Sequence, residues 1–196
     1  LRMASDIDWS RKLGQGGFGA VYGTSEPGVV YKKTKSARRE FAMAQRVQGS
    51  PFVGHTISCD EQGFFMKEYP YNLLDVAMEG KVDALCVAKQ LTFAICHLHS
   101  LEVFHLDLKL DNMMMGLDGT VKLIDFGLST RDATKRKMPP FGTEGYTPPE
   151  AHRGEMCDPK LADLWMLGIC IYALQFKRMP FRNAVKGDPW FDYFLQ

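Results

Sequence analysis

Four glycines fall within six residues in Gly14-Gln15-Gly16-Gly17-Phe18-Gly19, and Ala20-Val21 follow them. No other run limits the backbone as much. Glycines have no Cβ, so a tight turn built from them can bring main-chain N–H groups close to a partner such as a phosphate. A similar spacing opens the helix of a dinucleotide-binding unit, but that reading needs a helix directly after the glycines. Val21-Tyr22-Gly23-Thr24 reads as a strand instead. The segment 13–22 is expected to be a β-hairpin, either a structural turn or a phosphate cradle.

The rest of the first third continues in short elements. Residues 28–33 follow a Pro27-Gly28 turn and read as a β-branched strand. Ser36 is placed to cap a helix over 37–47, with Phe41, Ala44 and Val47 on one stripe. A strand is expected over 64–69, and Pro70-Tyr71-Asn72 is a natural break. The pattern then turns helical. Residues 83–100 carry Leu85, Ala88, Leu91, Ala94, Ile95 and Leu98 at helical spacing, the mark of a long core helix. Strands over 113–117 and 121–124 flank Asp118-Gly119, a strong hairpin signal. Residues 128–149 hold four prolines and read as a long loop, and 161–175 as a second buried helix. The expected class is α+β, with a small β-rich lobe over 1–67, a connector at 68–72 and a mainly helical lobe over 73–196.

Composition excludes several functions. The chain has 24 Lys and Arg against 23 Asp and Glu, so no charge excess points to nucleic acid or an anionic membrane. Its five cysteines are scattered without a C-x-x-C pair, which argues against a disulfide framework or a zinc site. The densest apolar run, 164–174, is about half the ~20 residues a membrane span requires. A reducing, cytoplasmic location is expected, with secretion into a host cell left open. The chain opens on Leu1 rather than Met, which reads as a piece of something longer.

Three further clusters carry chemistry. In Val29-Val30-Tyr31-Lys32-Lys33, alternation puts Val30 and Lys32 on one face. A purine and its phosphates would need a small apolar residue and a cation on one face, which favours Lys32 over Lys33. Glu40 on the next helix could pair with Lys32, the plain alternative being a solvated glutamate. His105-Leu106-Asp107-Leu108-Lys109-Leu110-Asp111-Asn112 offers a base, a cation and a metal ligand around one point. Asp125-Phe126-Gly127 places a carboxylate at a strand end, a position suited to Mg²⁺. His97 and His99 lie two apart on a helix and face different ways, so no shared metal is expected. His105 reads as a packed core residue beside Phe126. The methionines at 113–115 read as strand core near the site.

In order, these segments are followed by Gly142-Thr143, Pro148-Pro149-Glu150 and Asp163-Leu164-Trp165-Met166-Leu167-Gly168. The whole series resembles the eukaryotic protein kinase family, Ser/Thr type, over nearly the whole chain. The resemblance implies a bilobal fold, ATP as phosphate donor, and Mg²⁺ as the metal with Mn²⁺ as an alternative. It further implies a protein acceptor bearing Ser or Thr, and leaves room for a regulatory protein. Gly14, Gly16 and Gly19, with Gly17, Phe18 and Val21, would form the lid over ATP. Val30 would lie beside the purine, and Glu68 and Tyr69 at the hinge. Lys32 would hold phosphates and pair with Glu40. Asp107 would be the catalytic base, supported by Lys109 and Thr143, and Asn112 and Asp125 would bind metal. Asp111 is either a surface carboxylate or a mild preference for basic substrates.

Departures from the family carry their own expectations. Leu106 stands where the family usually has Arg, and Met138-Pro139-Pro140-Phe141 holds no hydroxyl. Activity without activation-loop phosphorylation is expected, even with Ser129, Thr130 and Thr134 replaced by Ala. Lys67 falls where an apolar side chain is usual, so either the hinge register is one residue off or the adenine pocket is unusual. Lys32 and Glu40 are only eight residues apart, so the helix must start almost at once after the strand. The larger lobe is short, ending soon after Pro189-Trp190-Phe191. Glu150 would then lack its usual arginine, a buried-charge penalty of several kcal/mol. A catalytically weak scaffold of the same fold is the alternative reading.

Overall fold

The computed structural model describes residues 7–17, 19–138 and 143–196. Strands β1 (Ile7–Gly16), β2 (Gly19–Thr24), β3 (Val29–Lys33), β4 (Thr56–Cys59) and β5 (Gly63–Lys67) form one antiparallel sheet in the order β1-β2-β3-β5-β4. The expected hairpin is β1–β2, closing at the Gly16–Gly19 pair. Gly19 has to be glycine because a Cβ there would sit 2.3 Å from the Lys33 carbonyl oxygen. Pairing of Val21 with Lys32, Lys32 with Phe64 and Val30 with Met66 puts all five side chains on one face. The opposite face packs Ile7, Val29, Tyr31 and Phe65. Trp9 covers that face, edge-on to Tyr22 and Tyr31 at 5.0 and 6.0 Å between ring centroids.

Helix α1 (Ala37–Val47) has the expected bounds, but Ser36 does not cap it. Only two residues separate Ser36 from the strand end, and its φ of −109° and ψ of 29° are not those of a capping residue. Its N–H turns back to the Thr34 hydroxyl at 3.3 Å. Glu40 joins Ala37, Ala44 and Val47 on the buried side of the helix. The break at 70–72 contains structure the sequence did not announce. Strand β6 (Tyr71–Asn72) pairs with β7, and the Asn72 side chain caps helix α2 (Leu73–Met78) by accepting from the Leu74 N–H at 2.9 Å.

Helix α3 (Ala84–Ser100) starts at an Asp83 cap and buries Val87, Leu91, Ala94, Ile95 and Leu98. Leu85, expected on that stripe, is 64% exposed. Counting back from Leu91 by helical steps reaches 87 and 84, so residue 85 is about 100° out of phase. The hairpin β7 (Met113–Met115) and β8 (Val121–Leu123) is shorter than expected. Gly119, at φ +74°, closes its turn by donating to the Gly116 carbonyl. Within 128–149 the structure adds β9 (Arg136–Lys137), paired with β10 (Met156–Cys157), and the start of α4 (Pro149–His152). Helix α5 (Pro159–Phe176), capped by Asp158, forms with α3 the centre of the main core. A last helix, α6 (Pro189–Phe194), buries Phe191 against Phe181.

One further expectation needs correction. Glu150 is half-buried rather than buried, and Arg153 is the cation that feels its charge. Arg182 pairs with Glu144 at 3.6 Å and Arg178 lies over Trp190, so neither serves Glu150. The buried-charge penalty therefore does not arise. All five cysteines are free. Among the described residues no helix is long and apolar enough to cross a membrane.

The phase of α3 is directly testable. Leu98→Ala should cost about 2–5 kcal/mol in urea unfolding, whereas Leu85→Ala should stay within about 0.5 kcal/mol of wild type. Equal losses would place both leucines on the same face.

Candidate active site

A cleft of about 1070 Å³ opens beneath the five-stranded sheet. Its roof is the β1–β2 hairpin, with Gly14, Gly16, Gly17, Gly19 and Val21 lining it. Phe18 lies outside the described residues, as do Pro139, Pro140, Phe141 and Gly142. Val30 and Lys32 of β3 form its back, as strand alternation required. Its floor comes from the turn after Leu106, from Met114 of β7 and from the residues following β8.

The sequence left the strand after Gly63 uncertain by one residue. Met66 lies on the same face as Val30 and Lys32 and is buried, whereas Lys67 is exposed and borders the cleft from the next position along the strand. The apolar wall is therefore present, one residue before the position expected of it. Glu68 and Tyr69 do line the cleft. The Glu68 carboxylate is drawn outward to Arg11 at 2.9 Å, and the buried Tyr69 hydroxyl accepts from the His55 N–H at 3.0 Å.

Deep in the cleft one ammonium serves two carboxylates. Lys32 Nζ lies 2.5 Å from Glu40 Oε1 and 2.9 Å from Asp125 Oδ1. The short connection after β3 is long enough because α1 begins four residues beyond Lys33. Burial works to neutralise all three groups, and the attraction between Lys32 and each carboxylate opposes it, while the two carboxylates repel each other. For Glu40 burial wins and its carboxyl is pushed up. For Asp125 burial is outweighed by Lys32 and by the Gly127 N–H, and its carboxyl falls below the usual range. Burial also weakens the charge on Lys32, but Asp125 and Glu40 hold it above an ordinary lysine.

A second cluster sits beside the first. Lys109 Nζ donates to Thr143 Oγ1 at 2.9 Å and lies 3.1 Å from Asp107 Oδ2. The Asn112 amide donates to the Asp107 carbonyl at 2.9 Å and to its carboxylate at 2.8 Å. Asp111 stays exposed at the rim. Asp107, Lys109, Asn112 and Thr143 are thus brought together, with Asp125 and Lys32 across the same cleft. His105 is fully buried with its ring 5.0 Å from Phe126, in keeping with a packing role. His97 and His99 go separate ways, to the Val47 carbonyl and to Asp163.

Sequence reasoning gave Asp163 no role, yet it holds the loop together. It is fully buried, and its two oxygens accept the N–H groups of His105 and Leu106, both at 2.8 Å, and His99 Nε2 at 2.9 Å. Leu106 and Asp125 both adopt left-handed φ values, 63° and 65°, which non-glycine residues hold only when the surroundings fix them. A lone acid inside the apolar run 161–174 was the available signal, since a buried charge needs partners.

The protein kinase domain family model matches residues 7–190. The chain is 31% identical over 209 residues to Aurora kinase A-B of Xenopus laevis, covering 94% of this chain and 51% of that protein. It is 31% identical over 140 residues to the probable serine/threonine-protein kinase RTK1 of Saccharomyces cerevisiae, covering 67% of this chain and 23% of that protein. A probable serine/threonine-protein kinase of Dictyostelium discoideum, mkcF, is 40% identical over 98 residues, half of this chain and 14% of that protein. The chain belongs to the eukaryotic protein kinase family. It spans about half the length of the Aurora relative it matches and less of the others. The fold accordingly is the α+β kinase fold, with a β-sheet part and a helical part. Within it Asp163 anchors the Asp107 loop, and the sheet and α1 carry the Lys32 cluster.

Asp163→Ala would strand two buried backbone N–H groups, each costing about 1–3 kcal/mol. Denaturant unfolding should show a loss of roughly 2–6 kcal/mol. A loss under about 0.5 kcal/mol, the size of an ordinary surface change, would contradict the anchoring role.

Proposed function

We propose that this chain transfers the γ-phosphate of ATP to a Ser or Thr hydroxyl of a protein. The observation that carries this reading is the bridge from Asp107 through Lys109 to Thr143, set in one cleft with Lys32, Asn112 and Asp125. Phosphoryl transfer demands little beyond alignment and charge neutralisation, and this set offers both. On this reading 1–67 and 73–196 are the two lobes and 68–72 is the hinge between them.

Each residue has a task. The glycine hairpin closes over the phosphates with main-chain N–H groups. Val30 and Met66 form the apolar wall for the base, and 68–69 border it. Lys32 neutralises phosphate oxygens and is kept in place by Glu40. Asp107 accepts the proton of the attacking hydroxyl as the oxygen–phosphorus bond forms and the bond to the leaving ADP breaks. Lys109 balances charge near that oxygen, and Thr143 holds Lys109. Asn112 and Asp125 fit Mg²⁺, or Mn²⁺ in its stead. The Asn112 N–H₂ is committed to Asp107, which leaves its amide oxygen, and one Asp125 oxygen remains besides the one taken by Lys32 and Gly127. When bound, the ion neutralises phosphate charge.

The same reading includes independence from activation-loop phosphorylation. Leu106 is buried with Phe104 and Ala162, against Leu128 and Met138, so an apolar contact stands where a phosphate-binding cation would be needed. Ser129 and Thr130 are buried, and only the Thr134 hydroxyl of the three candidates is exposed. This narrows the test, because Ala at 129 or 130 would disturb packing as well as remove a hydroxyl.

Transfer of labelled γ-phosphate from Mg-ATP to a Ser/Thr-rich test protein should be readily measured. Asp107→Asn should lower it by about 10²–10⁴-fold. Absence of transfer by the wild type, with Mg-ATP still raising its melting temperature, would favour a scaffold that binds nucleotide. Thr134→Ala and phosphatase-treated protein should keep turnover within about threefold. A loss beyond about a hundredfold, roughly 2.7 kcal/mol of barrier, would overturn the phosphorylation-independent reading.

A further inference from the structure

Helix α1 carries Arg38-Arg39-Glu40, three long charged residues with three different fates. Arg38 reaches Glu61, at 3.4 Å, and both side chains are largely exposed. Glu40 points inward to Lys32. Arg39 crosses to the chain beyond Asp125, where one guanidinium nitrogen donates to the Gly127 carbonyl at 2.8 Å and another to the Ser129 carbonyl at 2.6 Å.

We propose that Arg39 is a positioning residue, a two-pronged clamp that sets α1 against residues 127–129 and so aligns Glu40, Lys32 and Asp125. The connections form a closed ring. Arg39 and Glu40 are adjacent on one helix, Glu40 holds Lys32, Lys32 holds Asp125, and Asp125 is two residues from Gly127, which Arg39 grips. Opening the clamp removes one side of that ring. The segment it grips is also held by Ser129, which is fully buried and donates to the His105 carbonyl at 3.3 Å, and by paired main-chain bonds between Phe104 and Thr130, both 2.9 Å. Asp125 is held at a left-handed φ of 65°, so its carboxylate depends on the chain that follows it.

The clamp needs Arg in particular. A guanidinium is a planar fork with five N–H donors and meets two carbonyls at once, while a lysine ammonium is a point charge on a flexible stem. Its acceptors are main-chain oxygens rather than acids or a phosphate, so the contact is complete without covalent modification. The effect on turnover rests on the proposed phosphoryl transfer, whereas the effect on the order of α1 does not.

Hydrogen–deuterium exchange and steady-state kinetics on the full chain separate these claims. Arg39→Ala should speed exchange in α1 and in residues 125–130. It should also lower kcat by about tenfold or more with the KM for ATP within about threefold, the mark of lost alignment rather than lost binding. Arg39→Lys should fall clearly short of wild type in both readouts, and Arg38→Ala should match wild type. Unchanged exchange in both segments for Arg39→Ala, or full rescue by Arg39→Lys, would overturn the clamp. If the wild type transfers no phosphate, the proposed function fails, and exchange alone decides whether Arg39 positions α1.

Discussion

The site depends on Lys32 being shared between Glu40 and Asp125. These groups come from a strand, a helix and the turn after a hairpin, and each is mostly withdrawn from water. In such surroundings charges attract strongly, and removing one partner of a buried pair costs about 3–5 kcal/mol because it leaves an uncompensated charge. The cluster therefore fixes the relative placement of the sheet, α1 and the residues after β8 more firmly than apolar packing alone would. It also sets the charge balance, since Asp125 stays ionised while the Glu40 carboxyl is pushed up by its burial.

The second cluster is built on a different principle. Asp107, Lys109 and Asn112 sit on one irregular loop, tied to Thr143 of a later segment by hydrogen bonds, and irregular loops hold their shape only if the backbone is supported. Asp163 supplies that support from the second turn of α5 by accepting two main-chain N–H groups. The left-handed turn at Leu106 is possible because of this anchor, and the Leu106 side chain joins Phe104 and Ala162 in a cluster against which Leu128 and Met138 pack. A rigid helix thus carries the chemistry of a loop, and an apolar side chain ties the following segment to it.

Much of this was legible in the sequence because it depends on local rules. The glycine run followed by a strand specified the hairpin, Asp118-Gly119 specified the turn between β7 and β8, and strand alternation selected Lys32 over Lys33. What was not legible depends on phase or on distant partners. Leu85 satisfied the eye as part of a stripe but is out of phase with the helix it begins. Met66 and Lys67 could not be told apart until the pairing with Val30 fixed the register. Strand β9 has two residues and no periodic pattern, so only its partner β10 defines it. Arg39 carries no sequence signal, because its acceptors are main-chain carbonyls 88 and 90 residues away. The Ser36 cap failed for a similar reason, since propensity does not know how close the preceding strand ends.

On the proposed function, Asn112 and Asp125 receive a divalent ion together with a nucleoside triphosphate, in the cleft whose back Lys32 forms. Calorimetric titration of ATP, with and without Mg²⁺, into the wild type and into Asp125→Asn tests this most directly. The account predicts that Mg²⁺ tightens ATP binding to the wild type and loses most of that effect in Asp125→Asn. Binding that is indifferent to Mg²⁺ in the wild type, or equally enhanced in both proteins, would contradict it.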